Sequence, residues 1–416
     1  MTRPPLSVIT ACRACGAPDP VTIHAFGDTP LADRLRDPAR PETPDYRAPL
    51  TLCHCTACGL GQLRETVAPR ILFGADYPYH SSVSPALQAH FHASARALMD
   101  RLPLAPGDLV MEAASNDGVM LAPFHAAGHR VLGIDPADGP VAHARARGID
   151  TRHAFFTAAL AREMAAEGLR ARIFLANNVL AHVADVTDFT AGIAALLTPD
   201  GLAVLEVPWL LDLIDGGAFD TIYHQHLLYL SLTALVPLFA RAGLVLNDAE
   251  PLAIHGGSLR LFVGRQPGQS PRLTALLARE AARDIRSPDL YAPLLDRMGQ
   301  IAQDTRAALL RLKAQGARLA GYGAAAKATT LLHLLDLPPG TLRCIYDKSD
   351  WKQGLAMPGT DIPIRPASAL HADDTPDALL LLAWNFAPEI IAQNAPYLAR
   401  GGRILIPVPR LREITA

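Results

Sequence analysis

Residues 108–118 read DLVMEAASNDG, an apolar strand pattern that breaks abruptly into a polar turn. The stretch that follows, VMLAPFHAAG, predicts a helix closed by Gly128, and HRVLGIDPA predicts the next strand. RIFLANNVL and GLAVLEVP read as further strands, the second after a helix and the turn TPDG. Strand, loop and helix in repeated alternation predict an α/β protein with a parallel, doubly wound sheet. Such a sheet binds its ligand beyond the carboxyl ends of the strands. Glu112 and Asp135 fall at the ends of the first two strands, where a ligand would meet them.

An acid ending the second strand, about twenty residues after the first loop, can accept hydrogen bonds from the ribose hydroxyls of an adenosine cofactor. NAD enzymes and S-adenosylmethionine (SAM) enzymes share that logic, and the first loop separates them. A dinucleotide site needs G-x-G-x-x-G so that backbone can approach a pyrophosphate. EAASNDG has only Gly118 and offers Ser115, Asn116 and Asp117 instead. SAM carries no phosphate, and its sulfonium and amino acid tail suit a polar, acidic loop. Another nucleotide, or a plain structural turn, are the alternative readings of this loop alone.

At 416 residues the chain exceeds one ordinary core, so two or three domains are expected. Lys and Arg total 38 against 40 Asp and Glu; this balance gives no electrostatic reason to invoke nucleic acid or an anionic membrane. No run approaches the roughly 20 apolar residues of a membrane span. The opening MTRPPLSVIT lacks the apolar segment of a signal peptide, so a cytoplasmic protein is expected.

Five of the six cysteines lie in the first 58 residues, a crowding that points to metal rather than to scattered disulfides. CRACG and CTACG are two C-x-x-C-G turns, each able to present two thiolates to one side. Facing each other, Cys12, Cys15, Cys55 and Cys58 would complete a tetrahedral structural zinc site. A redox dithiol is the rival reading, without a thioredoxin-like unit around either pair. Cys53 and His54 are competing ligands.

TIYHQHLLYLS, residues 221–231, sets His224 and His226 two residues apart beside Tyr223 and Gln225. On a strand, that spacing would turn both rings to one face and could grip a metal; proton transfer is the other common use. A four-cysteine site elsewhere leaves the acid–base reading ahead. Near the C-terminus, ARLAGYGAAAKATTLL repeats the strand, glycine loop and helix pattern, and Asp347 ends the next strand. NAD is the bare reading of this unit. The third glycine of the dinucleotide pattern is absent, however, and the spacing is not that of a P-loop.

The order of the cysteine pairs, DYPYHSSVSP, MEAASNDG, GIDPA, ANNVLAHVADVTDF, FDTIYHQHLLYLS, IHGGSLRLFV, GYGAAAKATTLL and PGTDIPI resembles the three-domain SAM-dependent C-methyltransferases of nucleotide-linked ketodeoxysugars. The resemblance implies a zinc-binding domain over 1–75, a central Rossmann-like SAM domain over 76–265, and a second Rossmann-like α/β domain, facing the nucleotide sugar, over 266–416. It implies SAM contacts at Glu112, Ser115, Asn116, Gly118, Asp135, Asn177 and Asn178. His226 is expected as the base that removes the proton beside a ketone, with Tyr223, His182 and Tyr77 facing the same sugar and Gln225 in the catalytic loop. His224, Gly323 and Lys327 are expected as substrate contacts, the last two at the diphosphate, with a packing turn as the alternative for that loop. A dTDP-linked ketosugar from specialised metabolism is the expected acceptor and a monomer or homodimer the expected state.

The family pattern carries an acid where this chain has Gln225. A carboxylate would strengthen the neighbouring base, whereas an amide offers hydrogen bonds without charge. That departure keeps two other readings open: a different acceptor or SAM reaction on the same scaffold, and a catalytically weak binding protein.

Overall fold

The computed structural model describes residues 4–40, 42, 44–74, 80–371 and 375–416. The strand read from DLVMEA is Leu109–Ala113, buried at every position, because apolar side chains meet packing on both faces of the sheet. Beside it run Arg130–Asp135 and Thr151–His153 on one side, and Ala171–Asn177 and Leu197–Pro208 on the other, all parallel. Ser258–Gly264 and Val245–Leu252 complete this seven-stranded sheet in antiparallel register.

The loops at the carboxyl ends of the parallel strands are held in unusual backbone conformations. Ala114, Asn116 and Asn178 all have φ between 50° and 54°, a region that costs L-residues roughly 1–3 kcal/mol each and recurs at ligand sites. Asp135 pins the first loop: its carboxylate accepts the backbone N–H of Asn116 at 2.9 Å and of Ala137 at 2.8 Å. Asp347 repeats this arrangement in the C-terminal unit, accepting from Ala324 and Ser349 at 2.6 and 2.8 Å. That unit is a second sheet of six strands, parallel except for Arg412–Ile414 at its edge.

The N-terminal unit is an antiparallel sheet of Val21–Pro30, Arg47–Cys55 and Leu60–Leu63. Its fourth strand, Leu228–Tyr229, comes from far along the chain, out of the histidine-rich stretch. This donated strand seats the catalytic-loop candidate against the cysteine-bearing unit. Among the described residues no helix is long and apolar enough to cross a membrane.

Candidate active site

The two cysteine turns are built alike. In each, a glycine N–H returns to the first cysteine carbonyl, Gly16 to Cys12 at 2.9 Å and Gly59 to Cys55 at 2.8 Å. Both glycines sit at φ near +75°, where a side chain would be strained. The four sulfurs of Cys12, Cys15, Cys55 and Cys58 lie within 4.8 Å of one another. Cys12 and Cys58 sulfurs are 3.7 Å apart, and those of Cys15 and Cys55 are 3.5 Å apart. Metal–sulfur bonds of about 2.3 Å in a tetrahedron require edges of about 3.8 Å, so the donor set fits zinc. Cys53 and His54 are outside it; His54 instead shares a hydrogen bond with the Tyr291 hydroxyl at 3.1 Å.

Between the sheets runs a cleft of about 710 Å³, a size suited to small organic ligands. Its central-sheet wall carries Asn116, Asp135, Asn177 and Asn178; its middle carries His182, Tyr223 and His226; its C-terminal wall carries Lys327, Asp347, Ser349 and Lys352. Phe155 and Phe156 add an apolar flank, and Asp33 and Arg70 reach in from the N-terminal unit.

Glu112 is buried and does not itself line the cleft; the Asn177 amide, which does, donates to one of its oxygens at 3.0 Å, while the other has no hydrogen-bond partner among the described residues. Burial raises its pKa to about 8, so the carboxyl is mostly protonated at neutral pH. Burial likewise raises the Asp135 pKa. Ser115 turns its hydroxyl against Gly133, where a Cβ would approach it to 2.4 Å, and Gly118 packs on Ile149. These two residues shape the loop without lining the cleft. The Asn116 side chain accepts the Ser81 N–H at 2.8 Å, tying the turn Ser81–Val83 over the loop.

The histidines resolve sharply. Nδ1 of His226 donates to the Thr221 carbonyl at 2.8 Å, so in the neutral ring Nε2 is the acceptor, and the Tyr223 hydroxyl lies 2.8 Å from it. His182 stands edge to face with His226, ring centroids 4.8 Å apart, and donates from Nδ1 to the Gln225 carbonyl at 2.7 Å. Burial lowers the His182 pKa to about 4, which keeps it neutral at physiological pH.

His224 and Gln225 are not brought into the cleft. The loop is curled rather than extended, so alternate side chains do not share one face. His224 is buried and donates from Nε2 to the Pro49 carbonyl of the N-terminal sheet at 3.1 Å. The Gln225 side chain is 2% exposed, with neither amide atom hydrogen-bonded among the described residues. Tyr77 lies outside the described residues.

On the C-terminal wall, Gly323 has φ +90° and any Cβ there would strike Ala383 at 2.5 Å, so the glycine serves close packing. Lys327 lines the cleft, its ammonium 4.3 Å from the centroid of the Trp384 ring. The Trp384 indole donates to the buried carboxylate of Asp220 at 2.6 Å. Asp220, Trp384 and Lys352 escaped the sequence reading. Asp220 stood in FDTIYHQH directly before the histidines, but nothing in a single sequence marks an acid as buried.

Three domain families match the chain in succession: a zinc binding domain over residues 12–73, a methyltransferase domain over 87–248, and a C-methyltransferase C-terminal domain over 253–409. The C-methyltransferase NovU of Streptomyces niveus is 37% identical over 415 residues, spanning 98% of this chain and 97% of that protein. Among solved structures, the magnesium protoporphyrin IX methyltransferase of Synechocystis PCC 6803 with bound SAM aligns at 15% identity and a TM-score of 0.34, over 43% of this chain and 79% of its own. The CcbJ methyltransferase of Streptomyces caelestis aligns at 13% identity and a TM-score of 0.33, over 43% and 90%. The match to NovU runs the length of both chains and the three domain families follow in order, so this protein belongs to the SAM-dependent C-methyltransferase family, with a zinc-binding domain at its N-terminus.

Proposed function

We propose that the enzyme deprotonates the carbon beside the ketone of a dTDP-linked ketodeoxysugar and methylates the resulting enolate, with His226 as the base. The observation that carries this reading is the tautomer of His226: its Nδ1 proton is committed to Thr221, which leaves Nε2 facing the Tyr223 hydroxyl at the cleft. A neutral imidazole in that tautomer accepts a carbon-bound proton at physiological pH. Proton removal converts the ring to imidazolium while charge develops on the ketone oxygen. The Tyr223 hydroxyl turns from Nε2 to the ketone oxygen when substrate enters, which frees the one lone pair of that nitrogen for the proton and sets the phenol to donate to the developing oxyanion. His182, neutral and edge-on to His226, completes the sugar-facing wall.

On the cofactor side, Asn116, Asp135, Asn177 and Asn178 hold SAM, with Glu112 supporting the Asn177 amide and with Ser115 and Gly118 shaping the loop beneath it. Bound there, SAM would supply an electrophilic methyl group to the carbanionic carbon, its carbon–sulfur bond breaking as the carbon–carbon bond forms. Lys327 holds the diphosphate from the C-terminal wall, a point charge suited to phosphate oxygens. Residues 1–75, 76–265 and 266–416 then act as zinc-binding, SAM and nucleotide-sugar units around one cleft. His224 supports the loop from the zinc-binding unit and takes no direct part in substrate binding.

The test is incubation with methyl-labelled SAM and a panel of dTDP-ketosugars in deuterium oxide, followed by mass spectrometry. Methyl gain together with α-carbon exchange is expected for one of them. Exchange without methyl gain would retain His226 as base and discard the transfer; neither signal with any ketosugar would discard the sugar acceptor.

A further inference from the structure

The segment carrying Tyr223 and His226 is gripped on both sides of a single residue by the C-terminal unit. On one side, Asp220 accepts the Trp384 indole N–H at 2.6 Å. On the other, the Ile222 carbonyl accepts the Thr330 hydroxyl at 2.7 Å. Between them lies Thr221, whose carbonyl receives the Nδ1 proton of His226.

Neither grip is incidental to packing. Asp220 is wholly buried, and its second oxygen has no partner among the described residues. The indole N–H is the side-chain hydrogen-bond donor to this desolvated carboxyl, which also feels the nearby Lys327 charge; losing the donor would leave neither oxygen with a side-chain donor among the described residues. Thr330 stands in the helix Ala328–Leu335, one turn beyond Lys327, and Trp384 opens the turn Trp384–Phe386. Both therefore issue from the loop ends that form the C-terminal wall of the cleft. Gly256, at φ +90°, lies against the far edge of the Trp384 ring, where a Cβ would stand 3.4 Å from it.

We propose that Trp384 and Thr330 are positioning residues for the base: by fixing Asp220 and Ile222 they hold the Thr221 carbonyl where it keeps the proton on Nδ1 of His226 and leaves Nε2 as the acceptor. This rests on the reading of His226 as the base. An imidazole whose Nδ1 partner drifts away can place its proton on Nε2, and in that tautomer it cannot accept the substrate proton at the cleft. Lys327 lies over the same indole, so the diphosphate anchor and the support of the base share one side chain. The C-terminal unit thereby contributes to the chemistry as well as to binding.

The experiment uses the full-length, zinc-loaded protein with Trp384→Phe, Thr330→Val, the two combined, and Thr330→Ser, which keeps the hydroxyl. Nitrogen-15 spectra of histidine-labelled protein report the His226 tautomer, with His226→Asn assigning its signals. Deuterium exchange at the substrate α-carbon, SAM affinity and the thermal midpoint are measured alongside. Trp384→Phe and Thr330→Val should move His226 toward the Nε2-protonated tautomer and lower exchange by roughly tenfold to a hundredfold. SAM affinity should hold, and Thr330→Ser should behave as the parent. A folded double variant with the parental tautomer and parental exchange would overturn the proposal; if Trp384→Phe fails to fold, Thr330→Val decides it alone. Exchange that survives His226→Asn overturns the base assignment instead, whereas exchange lost in His226→Asn but untouched in the clamp variants overturns only this inference. The tautomer signal needs no substrate, so it decides the point whichever acceptor is used.

Discussion

The hydroxyl of Tyr223 lies 2.8 Å from Nε2 of His226, and the opposite ring nitrogen is committed to the Thr221 carbonyl. The phenol is therefore the donor in this pair, aimed at the nitrogen that the proposed mechanism uses as base. His226→Asn should abolish both α-carbon exchange and methyl transfer. Tyr223→Phe should lower both by roughly a hundredfold, the scale of a lost oxyanion donor, with SAM affinity unchanged. Single-turnover mass spectrometry reads both quantities.

Glu112 gives a prediction about SAM binding. Its pKa of about 8 means the carboxyl is protonated near pH 7, and the positive charge of a SAM sulfonium bound close by would favour its ionised form. Binding at pH 7 should therefore release up to about one proton, and affinity should rise as pH increases toward 8. Titration calorimetry in buffers of different ionisation heat measures the release. Glu112→Gln should remove it and weaken SAM.

Gln225 is the departure from the family pattern, and its surroundings argue against restoring the acid. The side chain is 2% exposed and has no hydrogen-bond partner among the described residues. In Gln225→Glu the new carboxyl would be desolvated and so uncharged near neutral pH, unable to strengthen the base. Exchange should not rise, and stability should fall by about 1–3 kcal/mol. A rate increase on this substitution would show that the loop rearranges to meet the substrate.

His224 predicts an acid-side loss of stability. Burial lowers its pKa from 6.5 to about 4, so the unfolded chain binds the proton first as pH falls. Its contribution is complete above about pH 6.5 and is lost toward pH 4, with a slope of up to about 1.4 kcal/mol per pH unit. Denaturant titrations at several pH values should show a shallower acid slope for His224→Gln than for the parent.

Zinc should matter beyond its own domain. The strand Leu60–Leu63 follows the second cysteine turn directly and pairs with Leu228–Tyr229; the Ser231 hydroxyl donates to the Gly59 carbonyl at 2.9 Å. Cys58→Ser should reduce bound zinc from about one per chain and lower the thermal midpoint by roughly 5 °C or more. It should also slow α-carbon exchange, because the strand it loosens continues the loop of the base. Metal analysis, calorimetry and exchange together check this.

Much of this protein is written in local pattern. The run DLVMEAA reads as a buried strand, its polar turn lacks the glycines a pyrophosphate needs, and two C-x-x-C-G turns point to metal ahead of a redox dithiol. Periodicity and spacing suffice for such features because the forces involved act within a few residues: alternate burial, turn geometry and the reach of paired thiolates. Asp135 is similarly legible, since a strand end in a parallel sheet faces the ligand whatever surrounds it.

The histidine loop is different. Spacing made His224 and His226 look equivalent, yet one donates to the N-terminal sheet and the other points into the cleft, because the segment curls and then joins a sheet whose other strands lie some 170 residues earlier. Gln225 turns out to be an enclosed amide, and Asp220 a buried acid held by an indole from a distant turn. The Thr221 carbonyl that faces Nδ1 of His226 sits between Asp220 and Ile222, whose partners Trp384 and Thr330 lie more than a hundred residues away. Local pattern and motif order suffice for the sheet, the zinc ligands and the class of chemistry. Tertiary structure alone decided which side chains meet, since burial, desolvation and hydrogen-bond partners are properties of segments brought together in space.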